Sequence, residues 1–213
     1  MMATTHGFVS LALAVVVLPV LPAEASAPLV LGGAFVGGLA PDLDLLGVHR
    51  RTLHFPVAGS ALALLGGVGV VLTGSGTLAV ATVFVASGAV HAVSDMLGGS
   101  AETEPWNPTT ERGVYDHVTG RWWRPRRLVP YSGAPADFLV GLPFAALSIV
   151  APATGPTGEA ALVAVLVGSG LYTLTRRQFG RIHHLLVTVA APLFPTAPPV
   201  DEGEADPVAG DDD

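Results

Sequence analysis

Seven side chains in the first hundred residues could do chemistry together: His6, Asp42, Asp44, His49, His54, His91 and Asp95. His91 and Asp95, in "HAVSD", stand four residues apart and so share one face of a helix. Asp42 and Asp44, in "PDLD", flank a single residue after Pro41. Proline disfavours helical geometry at the residue before it, which predicts a break or turn at Ala40. Two carboxylates in a turn, an imidazole and a carboxylate on a helix, and His49 and His54 in between make a nitrogen and oxygen donor set. Such a set suits a divalent cation, with zinc first and manganese or iron as alternatives. His54, His91, Asp95 and one of Asp42 or Asp44 lead as ligands. The other aspartate then orients a ligand or acts as base, and His6 closes the site from the first helix. One ion or two is left open by seven candidates. A divalent cation there would activate a water, a spare Asp or His would move its proton, and Arg50 and Arg51 would hold an anionic substrate such as a phosphate. Asp44 and Arg50 are thus the candidate catalytic residues.

The chain that must position these groups has 213 residues, 50% of them hydrophobic and 13% charged. A soluble domain carries about 25% charged residues. There is no cysteine, which excludes disulfides and thiolate ligands, and all ten basic residues are arginine. Six apolar runs follow one another, at residues 8–22, 28–40, 56–72, 77–97, 136–152 and 160–175. A spanning helix needs about 17–25 residues. The first run reaches that with residues 5–7, and the second only by continuing through Asp42 and Asp44 to Leu46. The first run also precedes Ala25-Ser26-Ala27, a cleavage-like pattern. It lacks an N-terminal Lys or Arg, and Pro28 would follow the cut, so it reads as a retained helix. The fold class expected is all-α, a polytopic membrane protein of about six transmembrane helices.

Threading six helices sorts the charges. The connections at 47–55, 98–135 and 176–184 hold all ten arginines, whereas those at 23–27, 73–76 and 153–159 hold Glu24 and Glu159 and no arginine. The positive-inside rule then makes the arginine-bearing side cytoplasmic, with both termini. All seven candidate ligands fall on that side. The expectation is a multi-pass protein of the plasma membrane with a cytoplasmic-face site.

Residues 1–195 form the membrane domain, with a loop at 98–135, and 196–213 an acidic disordered tail. Residues 201–213 hold seven of the seventeen acids and no base, a composition that stays solvated. In the loop, Trp106, Trp122 and Trp123 beside Arg124, Arg126 and Arg127 read as an interfacial belt that meets anionic lipid headgroups. The alternative is a substrate lid carrying Glu102, Glu104, Asp116 or His117. Asp137 reads as a helix N-cap, and His183 and His184 as lipid-facing. Glycines such as Gly32, Gly33, Gly37 and Gly38 read as close-packing positions, since no Gly-Lys-Ser/Thr follows to make a phosphate loop.

"TTHG", "PDLD", "HRRTLH" and "HAVSD", in that order between apolar helices, resemble the membrane-bound metal-dependent hydrolase family that includes the LexA-binding, inner-membrane-associated hydrolases. His6, Asp42, Asp44, His49, Arg50, Thr52, His54, His91 and Asp95 match its pattern over residues 4–99. Phe55 stands where the family has a small polar residue. The resemblance implies metal-dependent hydrolysis at the membrane, and Arg50 and Arg51 point to an anionic substrate, a phosphoester or lipid headgroup. A metal-ion or proton transporter is the first alternative, which would want ionisable groups at mid-depth in related halves. A non-catalytic partner protein with a structural metal is the second. The partners expected are the bilayer and its anionic headgroups, with no direct nucleic-acid signal.

Overall fold

The computed structural model describes residues 1–100 and 106–190, with side chains of the last helix described as far as Gln178. The expected acidic tail, Glu102, Glu104, His183 and His184 lie outside what is described. The described residues form six α-helices and one short hairpin: α1 (Ala3–Val17), α2 (Ala27–Leu39), α3 (Pro56–Thr73), α4 (Gly76–Ser94), β1 (Val114–Asp116), β2 (Arg121–Trp123), α5 (Pro135–Val150) and α6 (Gly155–Ala190). Among the described residues, five segments are long and apolar enough to cross a membrane: Ala3–Val20, Ala27–Leu45, Pro56–Thr73, Gly76–Leu97 and Gly155–Gln178. The sixth helix, α5, is apolar but has only 16 residues. The protein is an all-α polytopic membrane protein.

The helices pack in the order α3, α4, α2, α1, α5, α6. Phe8, Leu11, Ala14, Val30, Leu31, Ala34, Ala145 and Leu162 form the core where α1, α2, α5 and α6 meet. At the outer edge, α3 turns Leu64, Leu65, Val71 and Leu72 outward. Those side chains suit hydrocarbon, where burial between helices gains nothing over contact with lipid.

Two adjacent glycines let α2 sit between its neighbours. A Cβ on Gly37 would collide with the Phe84 carbonyl of α4, and one on Gly38 would lie 2.6 Å from Ser10 Oγ of α1. Close packing by small residues is the usual membrane solution. At the far end of the α3–α4 pair, Gly74 closes α3 at φ 63°, a left-handed cap that glycine adopts without a Cβ penalty. Ser75 then caps α4 by accepting from Leu78 N at 3.2 Å.

The break expected at Ala40 is not there. Ala40 keeps helical angles (φ −56°, ψ −39°), and the chain tightens into a 3₁₀ helix over Ala40–Leu46. Pro41 falls in the first turn of this segment, where its missing N–H costs no hydrogen bond. The second span is thereby carried through Asp42 and Asp44. α4 ends the same way, in a 3₁₀ turn over Asp95–Leu97.

The loop after α4 is more ordered than an interfacial belt requires. β1 and β2 pair antiparallel, Tyr115 opposite Trp122. Asp116 ties the turn by accepting from Val118 N at 2.9 Å and Thr119 Oγ1 at 2.8 Å. Trp122 is only 3% exposed, with Tyr115 on one side and Arg112 over its ring. It is therefore a packing residue of the hairpin and not a membrane-surface one. The sequence signal was the alternation in "VYDHVTGRWW" with glycine at the turn. The hairpin docks on the 47–55 turn through Tyr115 N, which donates to Arg50 O at 3.0 Å. Residues 126–129 run along 96–98, with Arg126 N donating to Met96 O at 2.6 Å and Val129 N to Leu97 O at 3.1 Å. The described part of the loop thus caps the end of the bundle where α1 starts and α4 stops.

Candidate metal centre

Four of the seven candidates converge. Asp42, His54, His91 and Asp95 each offer a ligand atom, and those atoms lie within 4.8 Å of one another. The 3₁₀ continuation of α2 brings Asp42, the 47–55 turn brings His54, and the last turns of α4 bring His91 and Asp95. The three donors other than Asp42 are buried. Asp42 retains 18% side-chain exposure, so the cluster opens on its side.

The hydrogen bonds around the cluster set the imidazole tautomers. His91 Nδ1 lies 2.6 Å from the Gly38 carbonyl. A carbonyl only accepts, so Nδ1 carries the proton and a neutral His91 presents a bare lone pair at Nε2. His54 Nδ1 lies 2.8 Å from Asp44 Oδ2, and its Nε2 is likewise directed inward. His91 Nε2 then stands 3.4 Å from Asp42 Oδ1 and 3.7 Å from Asp95 Oδ2, and His54 Nε2 stands 3.4 Å from Asp95 Oδ2. None of His54 Nε2, His91 Nε2 and Asp95 Oδ2 has a hydrogen-bond partner among the described residues. Arg50 Nε, 3.0 Å from Asp95 Oδ2, offsets part of the charge, but imidazole nitrogens and carboxylate oxygens still face one another in a dry place, where polar groups without hydrogen bonds are costly. A shared cation removes that cost. The donor set fits one: two neutral imidazoles, two carboxylates, and each imidazole held from behind by an acceptor. A buried Asp/His/His/Asp cluster able to hold a metal ion is therefore present.

The other three candidates stand around it. Asp44 is 2% exposed and bridges two imidazoles, His54 and His49, at 2.8 Å each. It orients a ligand and does not face the cluster. His49 keeps 30% exposure, and its ring centroid is 5.9 Å from that of His54. His6 stacks on His91 with centroids 3.8 Å apart. Its Nε2 bonds Asp95 Oδ1 at 2.9 Å and its Nδ1 meets Ser94 Oγ at 3.0 Å. It closes the site from α1, but as a support to Asp95.

Arg50 does not face an open pocket. It is 3% exposed, its Nε lies 3.0 Å from Asp95 Oδ2, and its Nη1 donates to the Gly99 carbonyl. The guanidinium neutralises Asp95 in a place where an unpaired carboxylate would be expensive. Holding it there puts Arg50 at φ 62°, a left-handed conformation uncommon for a residue with a Cβ. Arg51 instead lies over the Tyr115 ring at 4.3 Å, a cation–π contact that fastens the hairpin. Both arginines expected to bind substrate are thus engaged in structure.

Of the groups outside the spans, His54 has a raised pKa. Burial opposes its charge, but the carboxylates of Asp44, bonded at Nδ1, and of Asp95, 3.4 Å from Nε2, outweigh burial. His117 is lowered, by partial burial and by Arg51 nearby. Glu111 is lowered by its hydrogen bonds to Arg127.

Three participants were not read from the sequence. The Gly38 and Gly99 carbonyls carry no side-chain signal. Ser94 had one, since it stands three residues after His91 on the same helix and hence near its face. Asp137, expected as an N-cap, is the third residue of α5, with Ala134 at the cap position. It is fully buried and accepts from Met2 N at 2.6 Å and Gly133 N at 3.1 Å. No family model, curated protein or solved structure matches the chain.

Proposed function

We propose that this protein is a membrane-embedded, metal-dependent hydrolase whose site lies at the cytoplasmic face of the plasma membrane. The observation that carries the reading is the convergence of two imidazole nitrogens and two carboxylates, with each imidazole fixed from behind by Asp44 or the Gly38 carbonyl. A divalent cation, zinc best of all, would supply a Lewis acid and an activated water there. The resemblance of the motif order to that of the membrane-bound hydrolase family points the same way, and the arginine-only side of the chain supports the orientation.

The residues divide the work. His54, His91 and Asp95 hold the ion, and Asp42 completes the set on the open side. Asp44 keeps His54 in its ligating tautomer and holds His49 by Nδ1. His49, the most exposed imidazole of the group, is placed to pass a proton between the site and water. Arg50, His6 and Ser94 position Asp95. The exposed Leu43, Leu45 and Val48 beside Asp42 favour an amphiphile that enters from the bilayer, such as a phosphoester with an apolar tail.

Elemental analysis of detergent-purified protein tests the metal reading, with His91→Gln as a mild variant and His91→Ala/Asp95→Ala as a severe one. The expected result is about one tightly held ion per chain, as for a mononuclear site, lost in both variants. A wild type that stays empty when zinc and manganese are supplied would sink the hydrolase reading. A second reading, a structural ion, is favoured by the number of donors: Asp42, His54, His91 and Asp95 would by themselves be enough to saturate a four-coordinate ion. X-ray absorption that finds four protein donors and no water, together with no turnover of phosphoesters, would select it.

A further inference from the structure

The end of the bundle away from the arginines carries a second feature. There α2 and α4 start side by side, and an open groove of about 480 Å³ runs between them. The two helices are tied at both ends of the groove. At its mouth a Cβ on Gly76 would lie 2.5 Å from the carbonyl group of Glu24, and at its inner end a Cβ on Gly37 would collide with the Phe84 carbonyl. Between these points the helices part, and a Cβ on Gly33 would meet nothing closer than Val80 at 3.7 Å.

The walls are apolar over a defined depth. Leu29 and Gly33 of α2 stand across from Val80, Phe84 and Val85 of α4. Leu29 is 61% and Phe84 40% exposed, so the groove is open to the bilayer along its side. Both helices begin membrane spans at this end, Ala27–Leu45 and Gly76–Leu97. From Thr77 to Val85 α4 rises about 12 Å, close to half of a hydrocarbon core roughly 30 Å thick. The groove therefore has the depth of one leaflet and the width left by a missing side chain.

The mouth is polar and carries one sign of charge. Glu24, Ser26 and Thr77 line it, and none of these side chains has a hydrogen-bond or ion-pair partner among the described residues. The connections at this end, residues 23–27, 73–76 and 153–159, hold no arginine. A carboxylate there takes its counter-charge from a ligand, and two unused hydroxyls can donate to phosphate oxygens. A second copy of the chain in the same orientation would bring another Glu24 and no cation, and like charges set face to face disfavour that contact.

We infer that the α2–α4 groove binds a phospholipid whose headgroup carries a primary ammonium. Its acyl chain lies along Gly33, its ammonium meets Glu24, and its phosphate accepts from Ser26 and Thr77. The inference stands apart from hydrolysis, because the groove is at the opposite end of the spans from the metal cluster.

The test is native mass spectrometry of the full-length protein in detergent, with phosphatidylethanolamine, phosphatidylcholine or phosphatidylglycerol added. Wild type retains phosphatidylethanolamine in preference to the other two. Glu24→Gln, at an exposed position, lowers that preference by about threefold to fivefold, the size of an exposed charge pair. Gly33→Leu fills the groove and lowers retention of all three lipids alike, and a thermal melt checks the fold of each variant. His91→Gln keeps the preference while losing metal, so failure of the metal reading and failure of this one are separate results. Equal retention of the three lipids, or a preference unchanged in Glu24→Gln, would overturn the inference. A dimer that Gly33→Leu abolishes, with no lipid retained by wild type, would overturn it too and assign the groove to a second copy.

Discussion

Two buried carboxylates, Asp95 at the end of α4 and Asp137 at the start of α5, differ in what surrounds them. Both are almost inaccessible, at 1% and 0% exposure. Asp137 faces backbone. Its Oδ2 takes the amides of Met2 and Gly133, and it joins the start of α1 to the start of α5. Asp95 faces mainly charged and imidazole groups. Oδ1 is bonded by His6 and by the N-terminal amine of Met1 at 2.6 Å, and Oδ2 looks at Arg50, His54 and His91 without a hydrogen bond of its own. Backbone amides are fixed donors that suit a carboxylate with a structural task. Imidazole lone pairs are not donors at all in the neutral state, and a carboxylate pressed against them is placed for a cation. Burial alone does not separate a working acid from a structural one. The atom types around it do.

Substitution at Asp95 has the largest expected effect. Asp95→Ala leaves Arg50 buried with no counter-charge and should cost about 3–5 kcal/mol, with all metal lost. A thermal melt in detergent and elemental analysis read both. A variant that melts like wild type would mean that Arg50 reaches another partner, and the account of Asp95 as its neutraliser would fall. Asp44→Asn comes next. The amide keeps the shape but no longer holds His54 as firmly in its ligating tautomer. Metal affinity should drop about 10–100-fold, as for other groups that orient a ligand from behind, while the melt changes little. Competition with a chelator of known affinity measures it. Unchanged affinity would place Asp44 outside the working site.

How much of this was legible in the sequence depends on the kind of contact. The spans were readable because an apolar run of a given length has few alternatives in a bilayer. The grouping of His54, His91, Asp95 and Asp42 at one end followed from threading the spans, and His91 with Asp95 followed from helical spacing alone. The choice between Asp42 and Asp44 was not readable. The two residues differ by one intervening position, and only the 3₁₀ pitch after Ala40 decides which one faces the cluster. The expected break at Pro41 failed for a related reason: a local steric preference was overridden by a tighter helix in which proline is harmless. Arg50 and Arg51 looked equivalent as topology markers. One is buried on Asp95 and the other lies on Tyr115, a difference set by tertiary docking of a hairpin that begins more than sixty residues later.

Asp137→Ala sharpens the contrast from the other side. It removes the acceptor for two buried amides and should cost about 1–3 kcal/mol, yet leave metal content as in wild type. Loss of metal on this substitution would couple the two carboxylates through α1, whose first residues touch both, and would merge the regions contrasted above.

The smallest effect belongs to a charge pair on the same cap. Glu111 accepts from Arg127 through both oxygens at 2.9 and 3.1 Å, so the pair has the bidentate geometry usually read as strong. Its carboxylate is 55% exposed, however, and water and salt screen such a pair to about 0–1 kcal/mol. The depressed pKa of Glu111 is an effect of that same hydrogen bond, so any contribution is present above the unfolded carboxylate range and is lost as pH falls through the folded value. Glu111→Gln should leave the melt within about 1 kcal/mol of wild type and metal content unchanged. Arg127 carries its own cost in this arrangement, since it sits at φ 52°. A loss well above that bound would therefore mean that Glu111 holds Arg127 in its left-handed conformation, and with it the run of residues 126–129 against 96–98 that forms the wall beside Asp95.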